Sequence, residues 1–148
     1  MHRFINKIGI ELIKYFEGFS SNIYTCSGGY KTIGFGHKVL PNENYTSISL
    51  ATAEEILAKD LFKAERSVIN LINSPLTDNQ FAALVSFTFN IGGAALQRST
   101  LRQKINYGNY QGCKDEFLKW VYAGGKKVTG LILRRSAESK LFLNGPYN

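Results

Sequence analysis

The chain has 148 residues, 44% of them hydrophobic, which suits one domain over residues 1–148 whose core needs no disulfide or metal staple. Lys and Arg outnumber Asp and Glu by 18 to 11, a net charge of +7 that favours polyanionic partners such as nucleic acid, anionic lipid or bacterial wall polymers. Nucleic acid gains no support, since there is no RNA-binding consensus, zinc-finger spacing or basic helical run. Two cysteines make no disulfide framework, no apolar run is long enough to insert in a membrane, and the first residues lack the apolar core and cleavage site of a signal peptide.

Phe4, Ile5, Ile8, Leu12, Ile13, Tyr15 and Phe16 recur at helical spacing and predict a helix over residues 3–17. Gly18 is placed to cap it. Ile23–Cys26 and Tyr30–Ile33 are β-prone runs around Ser27-Gly28-Gly29, so a hairpin or small sheet is expected over residues 22–39. After a loop at Pro41–Asn44, Thr52 with Glu55 reads as a capping box. It opens a helix of about 30 Å that carries Ile56, Leu57, Leu61, Phe62, Val68, Ile69 and Ile72 to about Asn73 and ties two lobes together.

Ser74-Pro75 breaks that helix. Thr77 caps the next, Asp78–Asn90, whose centre from Phe81 to Phe89 is apolar on nearly all sides, as a buried central helix requires. Further helices are expected from Ser99-Thr100 to Ile105, from Tyr110 to Lys119, and from Leu131 to Phe142, where Leu131, Leu133, Ala137, Leu141 and Phe142 are the candidate core. Ala123–Val128 reads as a loop. A small β element followed by a mostly helical remainder is an α+β fold.

The chemistry concentrates between Glu17 and His37. A carboxylate in the last turn of a helix faces the negative end of the dipole, which disfavours ionisation, and burial would add to this. A Glu kept protonated in this way can serve as a general acid. Singly, Glu17 reads as a solvated helix end, Cys26 as a small core residue, Thr32 as a β-former and His37 as a structural imidazole. Their spacing carries more: Glu17, eight residues, Cys26, five residues, Thr32.

That spacing resembles the signature of the phage-type lysozymes of glycoside hydrolase family 24, which is Glu, eight residues, Asp or Cys, five residues, Thr. The similarity continues through Gly9–Gly18, Thr32-Ile33-Gly34-Phe35-Gly36-His37, Phe87–Gly92, Ser99-Thr100-Leu101, Trp120 and Gly130–Glu138. It implies a lysozyme-like fold and a cofactor-free, metal-free muramidase acting on bacterial peptidoglycan, as a monomer, with Glu17, Cys26 and Thr32 as the catalytic set.

Under the same resemblance Glu17 is the acid and Thr32 helps hold the attacking water of an inverting hydrolysis. Most members place Asp where this chain has Cys26. A free thiol is mostly protonated at neutral pH, although the Ser27–Gly29 amides and Lys31 could lower its pKa. Cys26 is therefore open to three roles: thiolate base, water-orienting thiol or nucleophile.

Phe89, Asn90 and Gly92 resemble the stretch lining the saccharide cleft. Arg134 is the expected partner of Glu17, because adjacent Arg135 points to a different face. His37 resembles a structural histidine, with Asp60 as its partner, and Cys113 reads as a structural thiol. Release through a holin-type lesion is implied, as the chain is expected to be made in the cytoplasm.

Three rival readings differ in chemistry. A lytic transglycosylase also uses one Glu but leaves an anhydro sugar. A wall amidase or peptidase would pair Cys26 with His37, leaving Glu17 and Thr32 without a role. A non-catalytic binding module would tolerate loss of Glu17. His2 and His37 are too few and too distant in sequence for a metal site.

Overall fold

The computed structural model describes residues 1–144 of the chain. Seven α-helices and two small antiparallel sheets follow one another among these residues. Helix α1 spans Lys7–Glu17 and is capped by Asn6, whose side chain accepts the Gly9 N–H. It starts four residues later than periodicity predicts because His2, Arg3 and Ile5 bond to groups elsewhere in the chain. Glu65 accepts the Ile5 N–H at 2.6 Å and faces His2 Nε2 at 2.9 Å, while Arg3 binds the Leu76 carbonyl and Asp78. Phe4, Ile8 and Tyr15 face solvent, while Ile5 and Ile13 enter the core.

Gly18 ends α1 at φ 70°, with its N–H on the Lys14 carbonyl. The chain turns there into β1 (Ser20–Thr25), β2 (Lys31–Gly34) and β3 (His37–Lys38), a sheet in the order β1-β2-β3. The hairpin falls at Ser27-Gly28-Gly29, closed by the Cys26 N–H on the Tyr30 carbonyl. In the β1–β2 register Tyr24 lies opposite Thr32, so both side chains share one face of the sheet.

Helix α2, Leu50–Leu71, is about 33 Å long. Its N-cap is Ser49, not Thr52: the Ser49 hydroxyl accepts the Thr52 N–H at 3.1 Å. The predicted capping box sits one turn too late, since a Thr-x-x-Glu pattern works equally well inside a first turn. Phe62 is exposed on one face but stacks on the His2 ring at 4.1 Å.

Helix α3 (Asp78–Ile91) carries the full Thr77–Gln80 capping box and buries every residue from Phe81 to Thr88. It packs against α1, α2 and α7 (Thr129–Leu143), making it the axis of the helical lobe. Gly9 is where α1 crosses it, since a Cβ there would stand 2.7 Å from the Ala82 Cβ. The N-terminal helix therefore rests on the helical lobe while its last residue, Glu17, meets the sheet.

Three segments depart from expectation. Gly93–Arg98 forms an additional helix, α4, before α5 (Thr100–Asn106, capped by Ser99). The helix expected over 110–119 is a 3-10 turn, Gln111–Cys113, followed by α6, Lys114–Phe117. Residues 123–128, expected as a loop, belong to a hairpin of β4 (Tyr122–Ala123) and β5 (Lys126–Lys127). Gly124 and Gly125, at φ 59° and 79°, supply the two positive dihedrals that a two-residue hairpin turn requires.

The core of α7 also differs. Leu141 and Phe142 are buried, but Leu133 is exposed and Leu131 only half-buried. The face turned to α3 carries Arg134, Arg135 and Glu138 instead, because the two guanidiniums can be buried where Glu138 and Glu17 of α1 face them.

Candidate active site

Glu17 sits in the last turn of α1 with its side chain 19% exposed. Arg134 Nη1 lies 2.7 Å from its Oε2. The same guanidinium donates through Nε to Glu138 Oε2 at 3.2 Å and through Nη2 to the Ser86 carbonyl at 3.2 Å, and Ser86 Oγ donates to Glu138 Oε2 at 2.5 Å. Arg134 is thus fixed from α3 and α7 and directed across to α1. Its charge centre also stands 5.9 Å from the Phe16 ring.

Arg135 is fully buried, with Nε 3.0 Å from Glu138 Oε1, Nη2 bonded to Asn90 Oδ1, and its charge over the Phe87 ring. Both arginines pair with Glu138 on the buried side of α7, against the expectation of two different faces, and Arg134 is the one bonded to Glu17. Burial pushes the Glu138 carboxyl above its usual range, against the pull of Arg135 and Arg134.

Gly36 forms the floor under the acid. At φ +75° a Cβ there would meet Glu17 Oε1 at 2.3 Å, so both the backbone and the carboxylate exclude any side chain. The Thr-Ile-Gly-Phe-Gly-His run held this signal, but a glycine shows its purpose only when its neighbour is known. Tyr24 was likewise missed. Burial, and then the nearby charges of Glu17 and Cys26, raise its phenol above the ordinary value.

Cys26 and Thr32 face each other on the hairpin. A hydrogen bond with the Thr32 side chain, then backbone hydrogen bonds from Tyr30 and Gly28, lower the Cys26 thiol from its ordinary value, with a smaller contribution from Lys38. The cation involved is Lys38 on β3 rather than the expected Lys31. Thr32 has one hydroxyl proton, which either bonds the Tyr30 carbonyl, 3.0 Å away, or supports the sulfur in its thiolate form. Cys113 is the opposite case: buried and bonded to the Asn109 carbonyl, it is pushed up to about 11 by burial. Both cysteines are free.

The remaining sequence candidates sit along the end of α3. Phe89 is half-buried against the core, Asn90 holds Arg135, and Gly92, at φ 95°, joins α3 to α4. Among the described residues no three His, Cys, Asp or Glu side chains gather as metal ligands, and no helix is long and apolar enough to cross a membrane.

His37 is occupied on both ring nitrogens, by Asp60 Oδ2 at 2.8 Å and Glu43 Oε1 at 2.9 Å. The Asp60 contact is the one expected; the loop carboxylate Glu43 is additional. With neither nitrogen free, the ring has nothing to offer Cys26 as a base.

An acid at the junction of a helical lobe and a small sheet, facing a hairpin that presents Cys26 and Thr32, is the layout of a lysozyme-like fold. Residues 14–138 match the family model described as phage lysozyme, and the chain belongs to that family. It is 43% identical over 143 residues to an endolysin of Bacillus phage B103, covering 95% of this chain and 54% of that protein. The chain thus spans about half the length of that curated relative. Among solved structures, an endolysin from Escherichia coli O157:H7 phage FAHEc1 superposes with a TM-score of 0.90 at 35% identity, covering 100% of this chain and 98% of the other. The muramidase domain of SpmX from Asticaccaulis excentricus gives a TM-score of 0.86 at 35% identity, covering 97% and 99%.

The His37 cluster carries a pH signature. Burial opposes the charged ring, but the bonds to Glu43 and Asp60 outweigh it and raise the His37 pKa. The Leu40 N–H and then His37 lower Glu43, whereas burial raises Asp60 despite His37. Glu43 is therefore the better ionised partner. A raised His pKa contributes stability that is fully present below the unfolded value, about 6.5, and is lost as pH rises through the folded value. The lowered Glu43 contributes above its unfolded value, about 4.3, and that contribution is lost as pH falls through its folded value. His37→Gln should therefore lower the melting temperature more at pH 5.5 than at pH 8.5. An equal loss at both pH values would show that the imidazole charge does not stabilise the fold.

Proposed function

We propose that the chain is a peptidoglycan muramidase of the endolysin type. It hydrolyses the β-1,4 bond between N-acetylmuramic acid and N-acetylglucosamine and so lyses the bacterial cell. The observation that carries this reading is Glu17, seated on Gly36 and held by Arg134 beside the Cys26–Thr32 hairpin. Glu17 in its acid form gives its proton to the glycosidic oxygen. Water, held by Thr32 and Cys26, attacks the anomeric carbon from the opposite face and passes its proton to the Cys26 thiolate, a single inverting displacement.

Phe89, Asn90 and Gly92 line the glycan cleft on the helical side; the Asn90 amide N–H groups remain as donors, because Arg135 uses its oxygen. The chain works as a monomer without metal or cofactor and reaches the wall through a holin-type lesion in the cytoplasmic membrane. The names of the FAHEc1 endolysin and the SpmX muramidase domain support the activity. The occupied His37 ring argues against a Cys-His amidase or peptidase.

Glu17→Gln should fold and lose at least about two orders of magnitude in turnover, with wild-type products ending in reducing N-acetylmuramic acid by mass spectrometry. Near-normal turnover of the variant would remove Glu17 as the acid, and 1,6-anhydro ends would make the enzyme a transglycosylase. Cys26→Asp, which keeps an acceptor for the water proton, should retain more activity than Cys26→Ala in initial rates on purified peptidoglycan. Equal rates for Cys26→Ala and wild type from pH 5 to 9 would make the thiol structural.

A further inference from the structure

The segment from Lys119 to Ala137 holds five cations and no Asp or Glu. Three of the five are neutralised: Lys119 by Glu116, and Arg134 and Arg135 by Glu17 and Glu138. Lys126 and Lys127, both on β5, are exposed and make no ion pair among the described residues. Tyr122, on β4, is 57% exposed and has no ring contact or side-chain hydrogen bond there. The register places Tyr122 opposite Lys127 and Ala123 opposite Lys126. One face of the hairpin therefore pairs an aromatic ring with a cation, and the other carries a second cation.

The position of this hairpin gives the free charges a meaning. Val128 continues the ladder through its N–H on the Val121 carbonyl, and α7 begins at Thr129. Arg134, which holds Glu17, lies six residues after Val128, about 9 Å along the helix axis. Gly130 and Leu131 are on its own helical face, one turn nearer the hairpin. The hairpin thus enters the fold at the end of α7 closest to the acid. The first turn of α7 has no acidic residue and no side-chain cap, so nothing there offsets the two lysines.

We propose that the β4–β5 hairpin binds the free carboxylates of the peptide stems of peptidoglycan while the glycan lies beside Glu17 and Arg134. This rests on the muramidase reading. A polymer in that cleft presents its stems laterally on its muramic acid units. Two unpaired ammonium groups and an exposed ring beside the cleft match anionic peptide ends better than they match neutral sugar. The occupant is the stem, not a phosphate polymer of the wall, because the stem is attached to the same strand that Glu17 cleaves.

The test uses the full chain carrying Glu17→Gln to stop turnover, with and without Lys126→Gln and Lys127→Gln. Soluble glycan strands free of phosphate polymers, either bearing their stems or stripped of them by an amidase, are titrated by calorimetry. Replacing both lysines should weaken binding of stem-bearing strands about fivefold, the scale of two solvent-exposed ion pairs, and leave stripped strands unchanged. Unchanged affinity for stem-bearing strands, or an equal loss for both, overturns the assignment. So does a loss that appears only when phosphate polymers are restored. The underlying activity fails by a separate result: wild-type protein that releases no reducing N-acetylmuramic acid from intact wall.

Discussion

Arg134 joins the helical core to the carboxylate at the lobe junction, and the geometry of the site follows from how it is held. It is 3% exposed, and its partners come from three helices: Glu17 of α1, Ser86 of α3 and Glu138 of α7. Two guanidiniums, Arg134 and Arg135, face two carboxyl groups, Glu17 and Glu138. Losing one member of such a buried set costs about 3–5 kcal/mol, because the others are left unpaired in a poor solvent for charge. The cluster is a weak device for stability but a strong one for direction. Three bonds behind the guanidinium leave Nη1 one place to point.

The two cysteines show how the same side chain takes opposite characters from its surroundings. Cys26 is half-exposed on a hairpin, where Thr32 and turn amides favour the thiolate. Cys113 is enclosed by the helical lobe, where burial favours the thiol. The reactive form is the thiolate, so the surroundings of Cys26 favour reactivity and those of Cys113 oppose it. Gly18 and Gly36 complete the arrangement, both at positive φ: Gly18 turns the chain from α1 toward β1, and Gly36, between β2 and β3, leaves room for the Glu17 carboxyl.

Much of this was legible in the sequence, and the exceptions have physical causes. The run from Phe81 to Phe89 announced a buried helix because its apolar residues leave no polar side. Gly18 and Ser27-Gly28-Gly29 mark the helix end and the hairpin because they are strong punctuation, while the Glu17–Cys26–Thr32 spacing carries the family resemblance. By contrast, Ser49 was missed as a cap because Thr52 offered the same chemistry three residues later. The β4–β5 hairpin reads as a loop in the sequence because two-residue strands have no periodicity to detect. The core of α7 was misassigned because periodicity counts apolar residues, whereas this face is filled by Arg134, Arg135 and Glu138. Glu43 as a second partner of His37 and Gly36 as the floor under Glu17 are long-range or steric facts, and no local pattern encodes them.

Arg134, anchored on the helical core, holds the Glu17 carboxyl group in place. A double-mutant cycle measures this directly, using denaturant unfolding of wild type, Glu17→Gln, Arg134→Gln and the double variant. The hydrogen bond from Arg134 to Glu17 predicts a favourable coupling of about 1–3 kcal/mol between the two positions. A coupling within about 0.5 kcal/mol of zero would contradict it and leave Glu17 positioned by the α1 end and Gly36 alone.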